Sequence, residues 1–447
     1  MKTSFNNSYI IGISFISALG GYLFGFDFAV ISGALPFLRT EFNLTPWWEG
    51  FLTGSLALGC IAGCLIAGKI ADRYGRRPGL MLAAAIFAVS SLGMAFSGSL
   101  TTFVIMRFAA GIGVGMASML SPMYIAEISP AEKRGRNVAI NQLTIVSGIL
   151  ITNLVNYMLA DNGPDAWRWM FGLGFVPSLF FLLGVIWLPE SPRWLIQAGH
   201  TQKAKIILET IGGEGFSEST FANVQKTLAK SPAEHGTYAA VFHRSVRPAV
   251  LVGIGLAVIQ QFCGINVVFN YTSTIFQAVG ASLDRQLFET VAIGAVNLIF
   301  TLLAMWQVDK LGRRPLMLIG SLGLSVIYIV LATLLQNQAS PAWISVFVLL
   351  AIAMYGASLA PVVWVIISEI FPNNIRGKAT SVAVIALWAA YFILVFTFPI
   401  LASKLGTYGP FYMYAGICLV AFFFIKAKVK ETKGQTLENL EGRFGGH

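Results

Sequence analysis

Twelve stretches of about 20 mostly apolar residues follow one another along this chain. They lie at 9–38, 48–70, 78–97, 101–125, 137–160, 166–188, 248–277, 287–308, 314–336, 342–368, 378–402 and 408–426. A helix of that length matches the hydrocarbon thickness of a bilayer. Only 11% of the 447 residues are charged and 56% are hydrophobic, whereas a soluble domain carries roughly 25% charged residues. There are too few charges to coat a surface facing water, so the chain is predicted to be an all-α membrane protein with the lipid bilayer as its solvent. The basic start "MKTSFNNS" leads into a span too long for a cleaved signal peptide. The first and seventh stretches are long enough to tilt or break.

Lys and Arg are divided very unequally between the two sides of these spans. One side holds 25 of them, the other has four (Arg39, Arg168, Arg285 and Lys404), and Arg107 lies inside a span. The positive-inside bias puts the basic side, and both termini, in the cytoplasm of a multi-pass cell-membrane protein. This asymmetry accounts for the net charge of +10 without nucleic acid as a partner.

One long polar insert, 189–247, separates six spans from six. Its apolar spacing predicts short amphipathic helices on the cytoplasmic side. The expected organisation is an N-terminal six-helix bundle at 1–188, a helical linker at 189–247, a C-terminal bundle at 248–426 and a tail at 427–447. An internal repeat supports the division. "ADRYGRRP" (71–78) recurs as "VDKLGRRP" (308–315) at an offset of 237, and "AEISPAEKRGR" (126–136) as "SEIFPNNIRGK" (368–378) at an offset of 242. Two motifs recurring at nearly one offset indicate duplicated halves, an architecture of transporters.

Soluble-enzyme chemistry has little support. The four histidines (His200, His235, His243 and His447) all fall outside the spans, and Cys60, Cys64, Cys263 and Cys418 form no zinc spacing. "GCLIAGKI" (63–70) resembles a phosphate loop, but Ile70 stands where Ser or Thr must reach magnesium. Its small residues are read as permitting close helix approach. No cofactor, metal or ATP-binding domain is expected, so any energy input would come from an ion gradient.

Polar groups within the spans carry more information. Gln260, Gln261 and Asn266 lie in "QQFCGIN", interrupted by Gly264; Gln142, Asn297, Trp364 and Trp388 lie in other spans. A lone amide in a membrane helix commonly joins helices. As a set they offer amide donors and acceptors, with aromatic faces and no fixed charge, which suits a neutral polyhydroxy ligand. Two charges are assigned to the membrane interior, Asp27 in "GGYLFGFDFAVISG" and Arg107 in "MRFAAGIGVG". Each costs about 2.5–3.5 kcal/mol at a helix centre, so both should face protein. They can form a permanent salt bridge or a titrating pair. The matched Asp72, Glu127, Asp309 and Glu369 can pair with nearby arginines in a network that gates one side, or the basic loops can be ordinary inside-positive clusters.

The motifs "DRYGRR", "DKLGRR", "PESPRWL" (189–195), "QQFCGIN", "SEIFPNNIRGK" and "KETKGQT" (430–436) resemble, over nearly the whole chain, the sugar porter family of the major facilitator superfamily. Within it the chain looks most like bacterial proton-coupled xylose and glucose symporters, and animal glucose facilitators are more distant. The resemblance implies the major facilitator fold, with twelve helices in two six-helix bundles plus cytoplasmic helices, working by alternating access. By position it implies sugar contacts at Gln142, Gln260, Gln261, Asn266, Asn297, Trp364 and Trp388, with Phe24 near the site. It implies proton coupling at Asp27 with Arg107; facilitators of the family typically have Asn at position 27. The candidate gating network comprises Asp72, Arg73, Arg76, Arg77, Glu127, Arg134, Glu190, Arg193, Asp309, Arg313, Arg314, Glu369 and Arg376. Four departures stand out. Asn270 replaces a usual tyrosine, Leu387 a frequent amide, Ala360 a common glycine and Lys430 a proline.

The expected function is import of a neutral monosaccharide, hexose or pentose, together with protons, by a monomer that is not an enzyme. The alternatives are a facilitator in which Asp27 and Arg107 brace the fold, and a sugar sensor that binds without transporting.

Overall fold

The computed structural model describes residues 5–130, 133–230, 241, 243, 246–371 and 376–431. Within its helices the side chains at 227–230, 307–310, 365, 367–369 and 376–377 lie outside the description. Every regular element among the described residues is helical. They are α1 (Asn7–Phe42), α2 (Pro46–Tyr74), α3 (Arg76–Ala95), α4 (Leu100–Ile128), α5 (Arg134–Leu159), α6 (Ala166–Gly172), α7 (Phe175–Trp187), α8 (Pro192–Gln197) and α9 (Thr201–Lys230). After these come α10 (Arg247–Phe262), α11 (Ile265–Asn270), α12 (Thr272–Gln277), α13 (Leu283–Leu311), α14 (Arg313–Gln336) and α15 (Pro341–Ala357). The last three are α16 (Leu359–Ile370), α17 (Arg376–Leu405) and α18 (Tyr408–Lys428).

Among the described residues twelve spans are long and apolar enough to cross a membrane, at the twelve places expected. The sixth runs through α6 and α7, the seventh through α10 and α11, and the tenth through α15 and α16. Inside lipid a backbone group has no water to bond, so long helices are the form such apolar runs adopt. Large apolar side chains such as Phe180, Val326 and Val420 stay exposed on these spans, as side chains bordering acyl chains do.

The chain forms two compact units. The first comprises Met1–Asp27, Gly59–Gly148 and Phe171–His235. Here α3 packs against α4 and α7, around buried Phe87, Phe103, Phe171 and Phe181. "GCLIAGKI" lies on α2, where Gly63 backs onto the main chain of Ile112 so closely that a β-carbon would collide with it. That is helix contact through a small residue. The polar insert supplies α8 and α9, which bury Leu195, Ile196, Ala204 and Leu208 against Trp194, Phe216 and Phe221.

The second unit comprises Phe28–Leu58, Ile149–Met170 and Gly236–His447. In it α14 packs on α18 and α15, and α10 on α17. The first span is one unbroken helix, whereas the seventh breaks at Gly264, whose φ is +84°. A β-carbon at Gly264 would stand 2.5 Å from the Tyr414 ring. Both the left-handed backbone and the ring demand glycine. Gly264→Ala is therefore expected to destabilise the protein by about 1–3 kcal/mol, seen as a lower melting temperature in detergent; an unchanged melt would refute this account of the break.

Candidate functional site

Asp27 and Arg107, 80 residues apart, meet in the first unit. Arg107 Nη1 lies 3.5 Å from Asp27 Oδ1, and both side chains are wholly buried. The guanidinium carbon stands 5.9 Å from the centre of the Phe171 ring. Asp27 Oδ2 and Arg107 Nε and Nη2 have no hydrogen-bond partner. The contact is thus single, long and incomplete. Phe24 and Gln142 are half-buried in the same unit.

The second unit holds the other amides. Gln260 Nε2 donates to the carbonyls of Leu359 and Ala360, 3.3 Å each, leaving Gln260 Oε1 buried without a partner. Asn266 Nδ2 donates to Gln261 Oε1. The break at Gly264 makes this last pairing possible, because it ends α10 just after Gln261 and restarts the chain as α11 at Ile265. Asn297 is buried on α13, with its oxygen 3.7 Å from where a β-carbon of Gly356 would stand. Trp388 is buried, but Trp364 is 43% exposed.

Two departures from the family pattern find their surroundings here. Asn270 is fully buried; its Nδ2 donates to Asn266 O at 2.6 Å, and its Oδ1 accepts from the Tyr391 hydroxyl at 3.1 Å. Leu387 is buried beside Trp388.

The repeated basic loops carry matching carboxylate caps, Glu190 in the first unit and Glu431 in the second. In the first, Arg76 pairs bidentately with Glu127, Nε–Oε2 at 2.9 Å and Nη2–Oε1 at 2.8 Å. Glu190 accepts from the main-chain N–H groups of Arg76 (2.9 Å), Arg77 (3.2 Å) and Ser191 (2.7 Å). Trp194 Nε1 donates to Asp72 O, and Arg134 Nε to Ala126 O. Asp72, Arg73 and Arg193 are exposed. In the second unit, Glu431 accepts from the N–H groups of Arg313 and Arg314, each at 3.0 Å. The preceding residues, Gly75 and Gly312, have φ of +102° and +90°, and each is backed by the capping carboxylate. A carboxylate at a helix start meets unpaired N–H groups and the positive end of the dipole. The side chains of Asp309, Glu369 and Arg376 lie outside the described residues.

Three functional candidates escaped the sequence reading. Glu431 was detectable, because "PES" (189–191) after the sixth span is echoed by "KET" (430–432) after the twelfth. Glu289 corrects the assignment of only two charges to the membrane interior. It is buried within the eighth span, where it accepts from the Ser345 hydroxyl at 2.6 Å and pairs with Arg285. Arg39 pairs bidentately with Glu49 and also donates to Thr274 and Gln277; no motif announced it.

Twelve spans, paired basic loops capped by carboxylates and buried amides define a membrane transporter of the major facilitator type. Residues 13–444 match the family model described as "Sugar (and other) transporter", and the chain belongs to that family of sugar transporters. It is 39% identical to the D-xylose-proton symporter of Escherichia coli (strain K12), covering 99% of this chain and 97% of that one. It is 37% identical to the D-xylose transporter of Levilactobacillus brevis, over 96% and 94% of the two chains. Among solved structures, the inward open conformation of the xylose transporter XylE from E. coli matches with a TM-score of 0.86 at 38% identity, covering 97% of this chain and all of that one.

Glu190 lies beyond the spans, and burial pushes its carboxyl above the usual range despite the N–H groups it accepts from. A carboxyl raised in the folded state favours its protonated form, so ionisation costs stability as pH rises from about 4.3, the value for a free Glu. Melting curves should therefore show Glu190→Gln gaining on the wild type as pH rises from 4 to 7. A pH-independent difference would contradict the assignment.

Proposed function

We propose that this transporter imports a neutral monosaccharide by alternating access, that it couples uptake to protons, and that Asp27 is the protonation site. Sugar transport follows from the family; the coupling rests on one contrast of geometry. Two arginine–carboxylate pairs occur among the described residues of the first unit, Arg76–Glu127 partly buried and Asp27–Arg107 wholly buried. Arg76–Glu127 is bidentate, the arrangement of a pair meant to hold. Asp27–Arg107 has one contact at 3.5 Å and an oxygen left over.

A permanent buried ion pair is favourable only when its geometry is good and its remaining atoms are bonded. Asp27–Arg107 meets neither condition, which favours a carboxylate that changes protonation over a structural brace. Moving Arg107 closer would favour the ionised form, and moving it away the protonated one. The basic loops are read as cytoplasmic, so a proton and sugar taken up outside would be released together within.

For the sugar, Gln260, Gln261, Asn266 and Asn297 offer acceptors and donors, and Trp388 and Trp364 supply indole faces. The unpartnered Gln260 Oε1 is suited to accept from a sugar hydroxyl, since a buried acceptor left unmet costs about 1–3 kcal/mol. Phe24 and Gln142 are proposed as further contacts. The relatives make D-xylose the first sugar to test, ahead of other aldopentoses and aldohexoses. A single chain carries every group invoked.

The decisive measurement is sugar uptake into proteoliposomes under an imposed proton gradient. Asp27→Asn should abolish accumulation above equilibrium while leaving exchange of labelled sugar between equilibrated compartments within about threefold. Concentrative uptake that survives this change would remove Asp27 from the coupling. Sugar exchange with no proton movement in the wild type would favour a facilitator.

A further inference from the structure

We propose that Asn270 and Tyr391 act as one positioning unit that sets the affinity and sugar preference of the amide site. This deepens the sugar-binding reading given above and rests on it.

The starting point is how little holds Asn266 in place. It sits on α11, six residues long and bounded by Gly264 on one side and by Tyr271 (φ −121°, ψ 24°) on the other. So short a helix has no orientation of its own, since nucleation is costly and a turn and a half adds few bonds. Its direction must come from side chains anchored elsewhere.

Two phenols provide that anchorage. The Tyr391 hydroxyl on α17 donates to Asn270 Oδ1 at 3.1 Å, while Asn270 Nδ2 donates to the Asn266 carbonyl at 2.6 Å. One residue on, the Tyr271 hydroxyl donates to Val395 O at 2.8 Å. The first connection runs from the Tyr391 phenol through the Asn270 amide to the main chain of Asn266, whose own amide bonds Gln261. Asn270 and Tyr391 are at most 1% exposed. Both ends of the Asn270 amide are engaged and both residues are buried, so the pair is assigned the holding of other residues.

Tyr391 also reaches the aromatic side of the site. Its ring meets Trp388, one turn earlier on α17, edge to face with centroids 5.6 Å apart. Phe28 lies 5.7 Å from Tyr391 and 5.6 Å from Phe269, the neighbour of Asn270. One phenol therefore fixes the amide behind Asn266 and the indole expected to face the sugar ring. An apolar pair would fill the same volume; an amide and a phenol bonded to each other also fix direction. Asn270 is the position where this chain departs from a usual tyrosine, and here α17 supplies the phenol.

The test uses the full chain in proteoliposomes, with counterflow of D-xylose, L-arabinose, D-glucose and D-galactose. Tyr391→Phe keeps the ring and removes only the hydroxyl. It should raise KM for the best sugar about tenfold, leave kcat within about twofold, and alter the pentose-to-hexose preference. Asn270→Tyr and Tyr391→Asn should each impair transport, and the reciprocal double variant should be better than either. An unchanged KM in Tyr391→Phe would overturn the proposal, as would a double variant with effects that multiply independently. Should Asn270→Tyr fail to fold, as judged by its melting curve, Tyr391→Phe and its KM-against-kcat split still decide. Wild-type protein that moves none of the four sugars would sink the sugar-site reading itself, and this inference with it; transport that ignores Tyr391→Phe sinks only the inference.

Discussion

Nothing in the hydrocarbon core of a bilayer donates or accepts a hydrogen bond, and the main features of this transporter follow from that. Main-chain groups must satisfy one another, so the apolar runs become helices. In the seventh span the ladder breaks at Gly264, and that break is enclosed by protein, with the Tyr414 ring against it. Polar side chains within the spans turn away from lipid: Asp27, Arg107, Gln260, Asn266, Asn270 and Asn297 are all buried. The same constraint makes each incomplete polar contact informative, because a group left unmet there costs more than it would in water.

Arginine–carboxylate pairs occur here in contrasting forms. Arg76–Glu127 and Arg39–Glu49 are bidentate and reinforced by further bonds, Arg76 to Ala71 O and Arg39 to Thr274 and Gln277. Asp27–Arg107 has a single long contact. The planar fork of arginine suits a two-point grip on a carboxylate, and a pair that forgoes it gives up strength and direction together. The strong pairs lie at helix ends, and the weak one lies mid-helix on α1 and α4.

The fold class and the twelve spans could be read almost entirely from hydropathy. Spans, linker helices and duplicated loops leave periodic or repeated marks, and each reflects a local property of the chain. The break in the seventh span was marked by Gly264. Partners were much less legible. Asp27 and Arg107 could be matched because charges inside apolar runs are rare, but Glu289, close to the start of its span, was overlooked. Arg39 gave no warning: its acceptors lie at 49, 274 and 277, and only the folded chain brings them together. Asn270 looked like the loss of a phenol, because the Tyr391 hydroxyl that bonds it lies 121 positions away.

The mid-helix pair also has an electrical consequence. With both groups ionised, Asp27 and Arg107 sum to zero; protonating Asp27 leaves the arginine's positive charge uncompensated in a region of low dielectric. Under the proposed mechanism the loaded carrier would thus be one unit more positive than the empty one. A membrane potential, negative inside, would act on that difference directly, with up to about 2.3 kcal/mol per 100 mV for a charge that crosses the whole field. Sugar accumulation would then draw on voltage as well as on the pH gradient, and the inward step of the loaded form would be the one that voltage speeds.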